Sequence, residues 1–219
     1  MENKMTSNTP NILVIGANGG IGKNTVSEAL KAGHCVTALV RNKANLQIAH
    51  PNLKIIEGDI MLPETYEDAL NNIQVVISAI GNKMDKPTTL YSEGNRNLLN
   101  AMKKKNVKRA FFISAAAIEI SPAQSFFVRL LTKYVVQKLF GNGYADQRIM
   151  EKLIKESDIN WTIMRPPRMT DGPITGNYRY AINSFLKKCL TISRGDVAQF
   201  MINNTDNPFT YKAIVEIAY

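Results

Sequence analysis

Asn11-Ile12-Leu13-Val14-Ile15 runs without a break into Gly16-Ala17-Asn18-Gly19-Gly20-Ile21-Gly22, and a periodic segment continues to Ala32. An apolar run of this length reads as a buried strand, and the segment after the glycines reads as a helix. The glycines between them answer a physical demand. Small residues let the backbone approach a pyrophosphate, whose charge then rests against free N–H groups at the helix N-terminus. A glycine-spaced pattern alone is a weak signal. Here it follows a strand, opens a helix and lies in the first strand–helix–strand unit, the context that a dinucleotide loop requires. The competing reading is a glycine-rich turn needed only for tight packing.

Downstream, short apolar runs go on alternating with longer periodic segments. Cys35 to Val40, Leu53 to Ile56, Gln74 to Ile80, Arg109 to Ser114, Trp161 to Met164 and Lys212 to Ile217 are predicted strands. Helices are predicted from near Pro63 to Leu70, and over Thr88 to Lys105, Ile149 to Glu156 and Val197 to Asn203. Apolar strands alternating with helices predict a parallel sheet covered on both faces. No linker rich in Pro, Gly or Ser divides the chain, and no internal repeat is visible. The predicted fold class is α/β: one Rossmann-type, doubly wound, mostly parallel sheet with helices on both faces. It occupies 11–219, with a small C-terminal substrate-side region, and a flexible arm at 1–10 precedes it.

Composition narrows the function classes. With 219 residues, 45% hydrophobic and 21% charged, the chain suits one buried core and is neither disordered nor fibrous in type. No apolar stretch approaches the length that spans a bilayer, and the polar N-terminus lacks the apolar core of a signal peptide. Cys35 and Cys189 are too few for a disulfide framework or a metal site, so a cytoplasmic protein without a metal is expected. The net charge of +9 is scattered, with one short run at Lys103-Lys104-Lys105 closing a predicted helix, where cations complement the dipole and face solvent. A nucleic-acid surface would need clustering on one face, and none is expected. His34 and His50 are too isolated to read as catalytic or metal-binding.

The second strand points to the kind of nucleotide. An NAD site usually places an acid about 20 residues after the loop, on the ribose 2′-OH. There is no Asp or Glu between Glu28 and Glu57, and the strand ends in Leu39-Val40-Arg41-Asn42-Lys43. Arg41 suits a 2′-phosphate, which predicts NADP(H), although it can instead stack on the adenine or face water. Ligands sit beyond the carboxyl ends of parallel strands, so two further strand ends join the predicted pocket. In Gly58-Asp59-Ile60, Asp59 suits the adenine amine, and in Ser78-Ala79-Ile80-Gly81 the small residues permit close approach to the ribose. Plain turn chemistry is the alternative for both.

The glycine spacing resembles the short-chain dehydrogenase/reductase superfamily, especially its atypical members. Ser114, at the end of Phe111-Phe112-Ile113-Ser114, then falls where the superfamily keeps its catalytic serine, beside the nicotinamide and able to donate to a substrate carbonyl. The superfamily's Tyr-x-x-x-Lys finds only Tyr144-Ala145-Asp146-Gln147-Arg148, which is read as an accidental match. The likeness sharpens toward the biliverdin reductase B and flavin reductase group within the NmrA-like set. It rests on the loop, on Pro87 to Gly94, on Ile113-Ser114-Ala115, on Arg165-Pro166-Pro167-Arg168-Met169 and on Ile192-Ser193-Arg194-Gly195-Asp196. The resemblance implies that Pro166 and Pro167 line the nicotinamide side, and that Ser193-x-x-Asp196 opens a helix. It also implies hydride transfer from NADPH to a flavin or related acceptor. The group has a histidine after the Pro-Pro pair where this chain has Arg168, which suits an anionic acceptor but is a poor proton donor.

Ser125 to Phe140 is apolar with Arg129, Lys133 and Lys138 interspersed. As a basic amphipathic helix it suits a partner groove, a membrane surface or a lid, while packing of its stripe on the core is the commoner fate. The leading expectation for the whole chain is an NADPH-dependent oxidoreductase. It would pass a hydride to a flat conjugated acceptor such as a flavin or quinone, with Ser114 orienting the acceptor and Arg168 holding it. The alternative is an NADP(H)-sensing, NmrA-like regulatory binding protein without turnover.

Overall fold

The first strand, β1 (Ile12–Ile15), alternates its side chains between two cores. Ile12 and Val14 enter one cluster, while Leu13 and Ile15 enter the other. That alternation places β1 inside a sheet with both faces covered, and the computed structural model, which describes residues 9–82 and 87–219, shows that arrangement. The arm expected at 1–10 lies, as far as residue 8, outside the described residues.

After α1 (Gly20–Lys31) come β2 (Val36–Val40), β3 (Leu53–Glu57), β4 (Val75–Ser78), α2 (Leu90–Lys104) and β5 (Arg109–Ile113). A broken helical segment follows: α3 (Phe126–Leu131), a π-helical turn (Thr132–Val136) and α4 (Gln137–Leu139). The chain then forms α5 (Gly141–Lys155), β6 (Asn160–Arg165), β7 (Arg168–Thr170), β8 (Arg179–Ile182), β9 (Thr191–Ser193), α6 (Arg194–Asn203) and β10 (Ala213–Ala218). The main sheet has the order β3-β2-β1-β4-β5-β6-β10-β8, parallel throughout except for β8, which runs antiparallel to β10. Helices α1 and α6 pack together, as do α2 and α5, and the two core clusters lie on opposite faces of the sheet. The strand order reverses between β1 and β4, and a ligand crevice opens at such a switch point in this class of sheet.

Three expectations are corrected. Pro63 to Leu70 is not one helix but two 3-10 turns, because Tyr66 between them has φ −142° and buries its side chain in the core. The helix expected to begin at Ile149 starts at Gly141. Two glycines obscured its first turns, which are held from outside: Asp146 accepts from the backbone N–H of Tyr91 (2.8 Å) and of Ser92 (3.3 Å), and from the Ser92 hydroxyl. This carboxylate caps α2, which has no side-chain cap of its own. The short strands β7, β8 and β9 were not anticipated, being too brief for a period to show.

Candidate functional site

Two glycines of the loop, Gly16 and Gly22, are required by backbone that a side chain would strike. Gly16 has φ +76°, and a Cβ there would lie 2.6 Å from the Ala79 carbonyl oxygen. At Gly22 a Cβ would lie 2.2 Å from the Gly16 oxygen, so this glycine lets α1 close onto the turn. At Gly20 it would meet the Arg194 side chain at 2.5 Å. Helix α1 begins at Gly20 with Gly19 as its cap, without a side-chain cap bond and without an acid in the first turn. Its first N–H groups therefore carry no side-chain cap, and their partial positive charge suits an anion.

Beyond this loop a cavity of about 1590 Å³ follows the strand ends. Gly16, Asn18, Gly19, Gly20 and Ile21 form its floor near β1, whereas Ala17 is fully buried behind them and Gly22 serves packing. Asn18 donates to the Asn42 carbonyl (3.2 Å), while its own buried Oδ1 has no hydrogen-bond partner. Arg41 lines the rim and is exposed. Asp59 and Ile60 line the wall, but Asp59 Oδ1 also accepts from the Met61 N–H (2.9 Å), so turn chemistry takes part of that carboxylate. Ala79, Ile80 and Gly81 line the cavity; Ser78 does not, since it is buried and its hydroxyl donates to Asn95 Oδ1 at 2.8 Å. The expected contact from Ser78 is thus replaced by an interior bond to α2.

At the far end Ser114, Pro166, Pro167 and Arg168 share the wall. The Ala116 N–H donates to the Pro166 carbonyl (2.9 Å), which ties the loop after β5 to the Pro-Pro turn. Arg168 is exposed and forms no ion pair among the described residues. Ser114 departs from expectation. Its buried hydroxyl donates to Glu151 Oε1 at 2.8 Å, not into the cavity. Glu151 in turn holds Arg165 through Nε (2.9 Å) and Nη2 (2.6 Å), and Arg165 Nη1 reaches Glu119 (2.8 Å). Burial opposes the charge on Glu151, but the bonds and charge of Arg165, with Ser114 and Lys155, outweigh it and hold the carboxyl below the usual range.

Two residues, one set aside by sequence reasoning and one missed by it, share this wall. Tyr144 is buried on α5 and lines the cavity, whereas Arg148 donates to the Ile118 carbonyl (2.7 Å) and borders a separate hollow. The tyrosine read as an accidental match is therefore in the site without a cation from its own motif, and burial raises its pKa, with Tyr91 adding to the effect. Glu216, on β10 opposite Arg165, is 2% exposed and accepts from the Leu186 N–H (2.7 Å). Burial pushes its carboxyl above the usual range, and Glu119 adds to this against the pull of Leu186 and Arg165. An isolated acid in a closing strand carries no sequence signal of this kind. Arg194 was noted only as part of a helix start; it lines the cavity over Gly20 and pairs with Asp171 at 2.7 Å. The expected cap is present, with Ser193 Oγ accepting from the Asp196 N–H at 2.9 Å.

The chain has the architecture of a nicotinamide-dinucleotide-binding protein. It belongs to the NAD(P)H-binding family, whose sequence model matches residues 16–208. A chloroplastic protein of Arabidopsis thaliana described as uncharacterized is 30% identical over 178 residues; the match covers 77% of this chain and 62% of that protein. Among solved structures, a short-chain dehydrogenase/reductase from Veillonella parvula in complex with NADP superposes with a TM-score of 0.80 at 20% identity, covering 96% of this chain and 94% of the other. ChuY, an anaerobilin reductase from Escherichia coli O157:H7, superposes with a TM-score of 0.76 at 19% identity, covering 95% and 96%. Both likenesses concern the fold. Among the described residues no helix is long and apolar enough to cross a membrane, and no group of three or more His, Cys, Asp or Glu is placed to hold a metal ion.

Proposed function

We propose that this chain is an NADPH-dependent reductase acting on a flat conjugated acceptor such as a flavin or quinone. The observation that carries the reading is the continuity of the cavity from the glycine loop to the Ser114, Tyr144 and Glu216 wall. At about 1590 Å³ it exceeds the roughly 300–1,000 Å³ of an ordinary small-molecule site, leaving room for an acceptor beside a dinucleotide. The glycines that no Cβ could replace and the unpartnered Asn18 Oδ1 fit such a cofactor. Gly19, Gly20 and Arg194 would hold its pyrophosphate, and Arg41 a 2′-phosphate. When bound, the nicotinamide supplies the hydride.

The protein's own groups do the rest. Arg168 and the Pro166-Pro167 turn hold the acceptor, and the apolar wall excludes water. The Ser114 O–H is directed to Glu151, so toward an acceptor its oxygen offers only lone pairs. Glu216 holds its proton to higher pH than usual and is suited to deliver one, whereas the raised pKa of Tyr144 makes that phenol a weaker acid. Titration with NADPH and NADH, followed by oxidation assays with FMN, FAD and a quinone, tests the reading. NADPH binding with turnover supports it; binding without turnover on any acceptor overturns it. That second outcome would favour an NADP(H)-sensing regulator, a reading supported by the commitment of the Ser114 hydroxyl to Glu151.

A further inference from the structure

Helix α3, its π-helical turn and α4 carry the largest exposed apolar surface among the described residues. Phe127 is 80% exposed, Phe126 68%, Leu139 62% and Tyr134 60%. Val128, Thr132 and Val136, spaced four apart along one stripe, are half-buried and line the cavity, and the half-buried Gln137 beside them donates to the Ala117 carbonyl at 2.9 Å. Phe126, Phe127, Leu130 and Tyr134 lie outside that stripe and are exposed. The segment thus closes one flank of the site with its inner stripe and presents apolar side chains to the outside. The expectation that its stripe simply joins the core is corrected: none of its side chains is fully buried.

We infer that this outer face docks on an anionic lipid surface. Charge decides between that surface and another covering partner. From Ile120 to Ala145 there is no Asp or Glu, while Arg129, Lys133 and Lys138 are all exposed. Arg129, Lys133 and Lys138 are interspersed among exposed apolar side chains, a composition in which long cationic side chains reach headgroups while apolar groups enter the acyl boundary. Lys133 Nζ lies 5.0 Å from the Tyr134 ring, so the cation and the amphipathic aromatic already share one patch. The 15 residues from Phe126 to Phe140 extend about 22 Å as a helix, less than a bilayer's hydrocarbon core, so the segment lies along the surface and does not cross it. A second copy of the chain would bring the same cations together on both sides. The docking needs no turnover and stands apart from the reductase reading.

Vesicle co-sedimentation of the full chain tests this. Vesicles of phosphatidylcholine mixed with phosphatidylglycerol are compared with pure phosphatidylcholine. Binding to the anionic vesicles at least tenfold above the neutral ones, weakening as salt rises, is expected. Phe126→Ser with Phe127→Ser should abolish it, and Lys133→Gln with Lys138→Gln should remove the preference for anionic lipid. These side chains are exposed, and thermal unfolding of each variant checks that the fold is kept. As an independent readout, Phe127→Trp should be quenched by brominated acyl chains, while the buried Trp161 is not. Equal or no binding to the two vesicle types overturns the inference. So does a dimer by light scattering that Phe127→Ser converts to a monomer, which would assign the face to a second copy.

Discussion

The Ser114 hydroxyl and the Glu151 carboxylate lie 2.8 Å apart, and the carboxylate also grips Arg165 through two nitrogens. This joins the end of β5 to α5 and β6 through charged groups that are almost fully buried. Removing one partner of such a pair leaves an uncompensated charge, which costs more than the pair contributes. Glu151→Ala is therefore expected to destabilise the protein by about 3–5 kcal/mol, because Arg165 would keep only the half-exposed Glu119. Ser114→Ala removes one bond to a charged acceptor and should cost about 1.5–3 kcal/mol. Urea unfolding of both variants at pH 7 checks the order; a larger loss for Ser114→Ala would contradict it.

The same carboxylate gives stability a pH dependence of known sign. Because its folded-state pKa is depressed, Glu151 binds protons more readily when unfolded, so its contribution is present above the ordinary glutamate pKa. It is lost as pH falls through the folded value. Glu151→Gln should therefore flatten the decline of the melting temperature between neutral and acid pH. An unchanged slope would show that other carboxylates govern it.

Glu216 has the opposite sign. Its raised pKa means that the folded protein holds a proton which the unfolded chain releases first, so stability falls as pH rises from the ordinary glutamate value to the folded one. Glu216→Gln keeps the shape without the ionisation and should raise the melting temperature at and above that window, with no gain below it. If Glu216 delivers a proton to the acceptor, the same variant should also lose the alkaline limb of the kcat profile. Thermal melts and steady-state rates across pH 5–9 separate the two effects, and a profile identical to that of the parent would remove Glu216 from the chemistry.

What the chain shows as a string depends on how local the cause is. The glycine loop is legible because its spacing between strand and helix is itself local, Gly22 closing on Gly16, although the contact that Gly16 makes with the Ala79 strand end, 63 residues on, is not. The parallel strands are legible because Leu13 and Val14 must both be buried although they face opposite ways. The chemistry of the wall is less so. Ser114 was expected to donate into the site, but the acceptor of its proton lies 37 residues away on a helix whose start two glycines concealed. Ser78 was likewise drawn inward by Asn95, 17 residues on. Glu216 and Arg194 gain their positions from tertiary packing alone, and no pattern within a window of sequence contains that information.

Gly16 and Gly141 make a controlled comparison. Gly16 is in the left-handed region with a backbone oxygen where a Cβ would go, while Gly141, opening α5, has open space around it. Gly16→Ala should cost about 1–3 kcal/mol and abolish dinucleotide binding, since either the loop or the Ala79 strand end must shift. Gly141→Ala should be neutral or stabilising by up to about 1 kcal/mol. Chemical denaturation and a fluorescence titration with NADPH distinguish them.

On the reading proposed above, Arg41 and Arg194 would divide the cofactor between them. Arg194 lies against Gly20 over the loop and is restrained by Asp171, so its charge is placed for the pyrophosphate common to both dinucleotides. Arg41 stands exposed at the end of β2, where only the 2′-phosphate distinguishes one dinucleotide from the other. Arg41→Ala should therefore weaken NADPH by about 10–100-fold, equivalent to about 1.4–2.8 kcal/mol, and leave NADH within about twofold. Arg194→Ala should weaken both by similar factors. Titrations of the two variants with the two dinucleotides give four dissociation constants. Equal losses of NADPH and NADH in Arg41→Ala would mean that Arg41 stacks on the adenine and does not read the phosphate, and the preference for NADPH would then need another source.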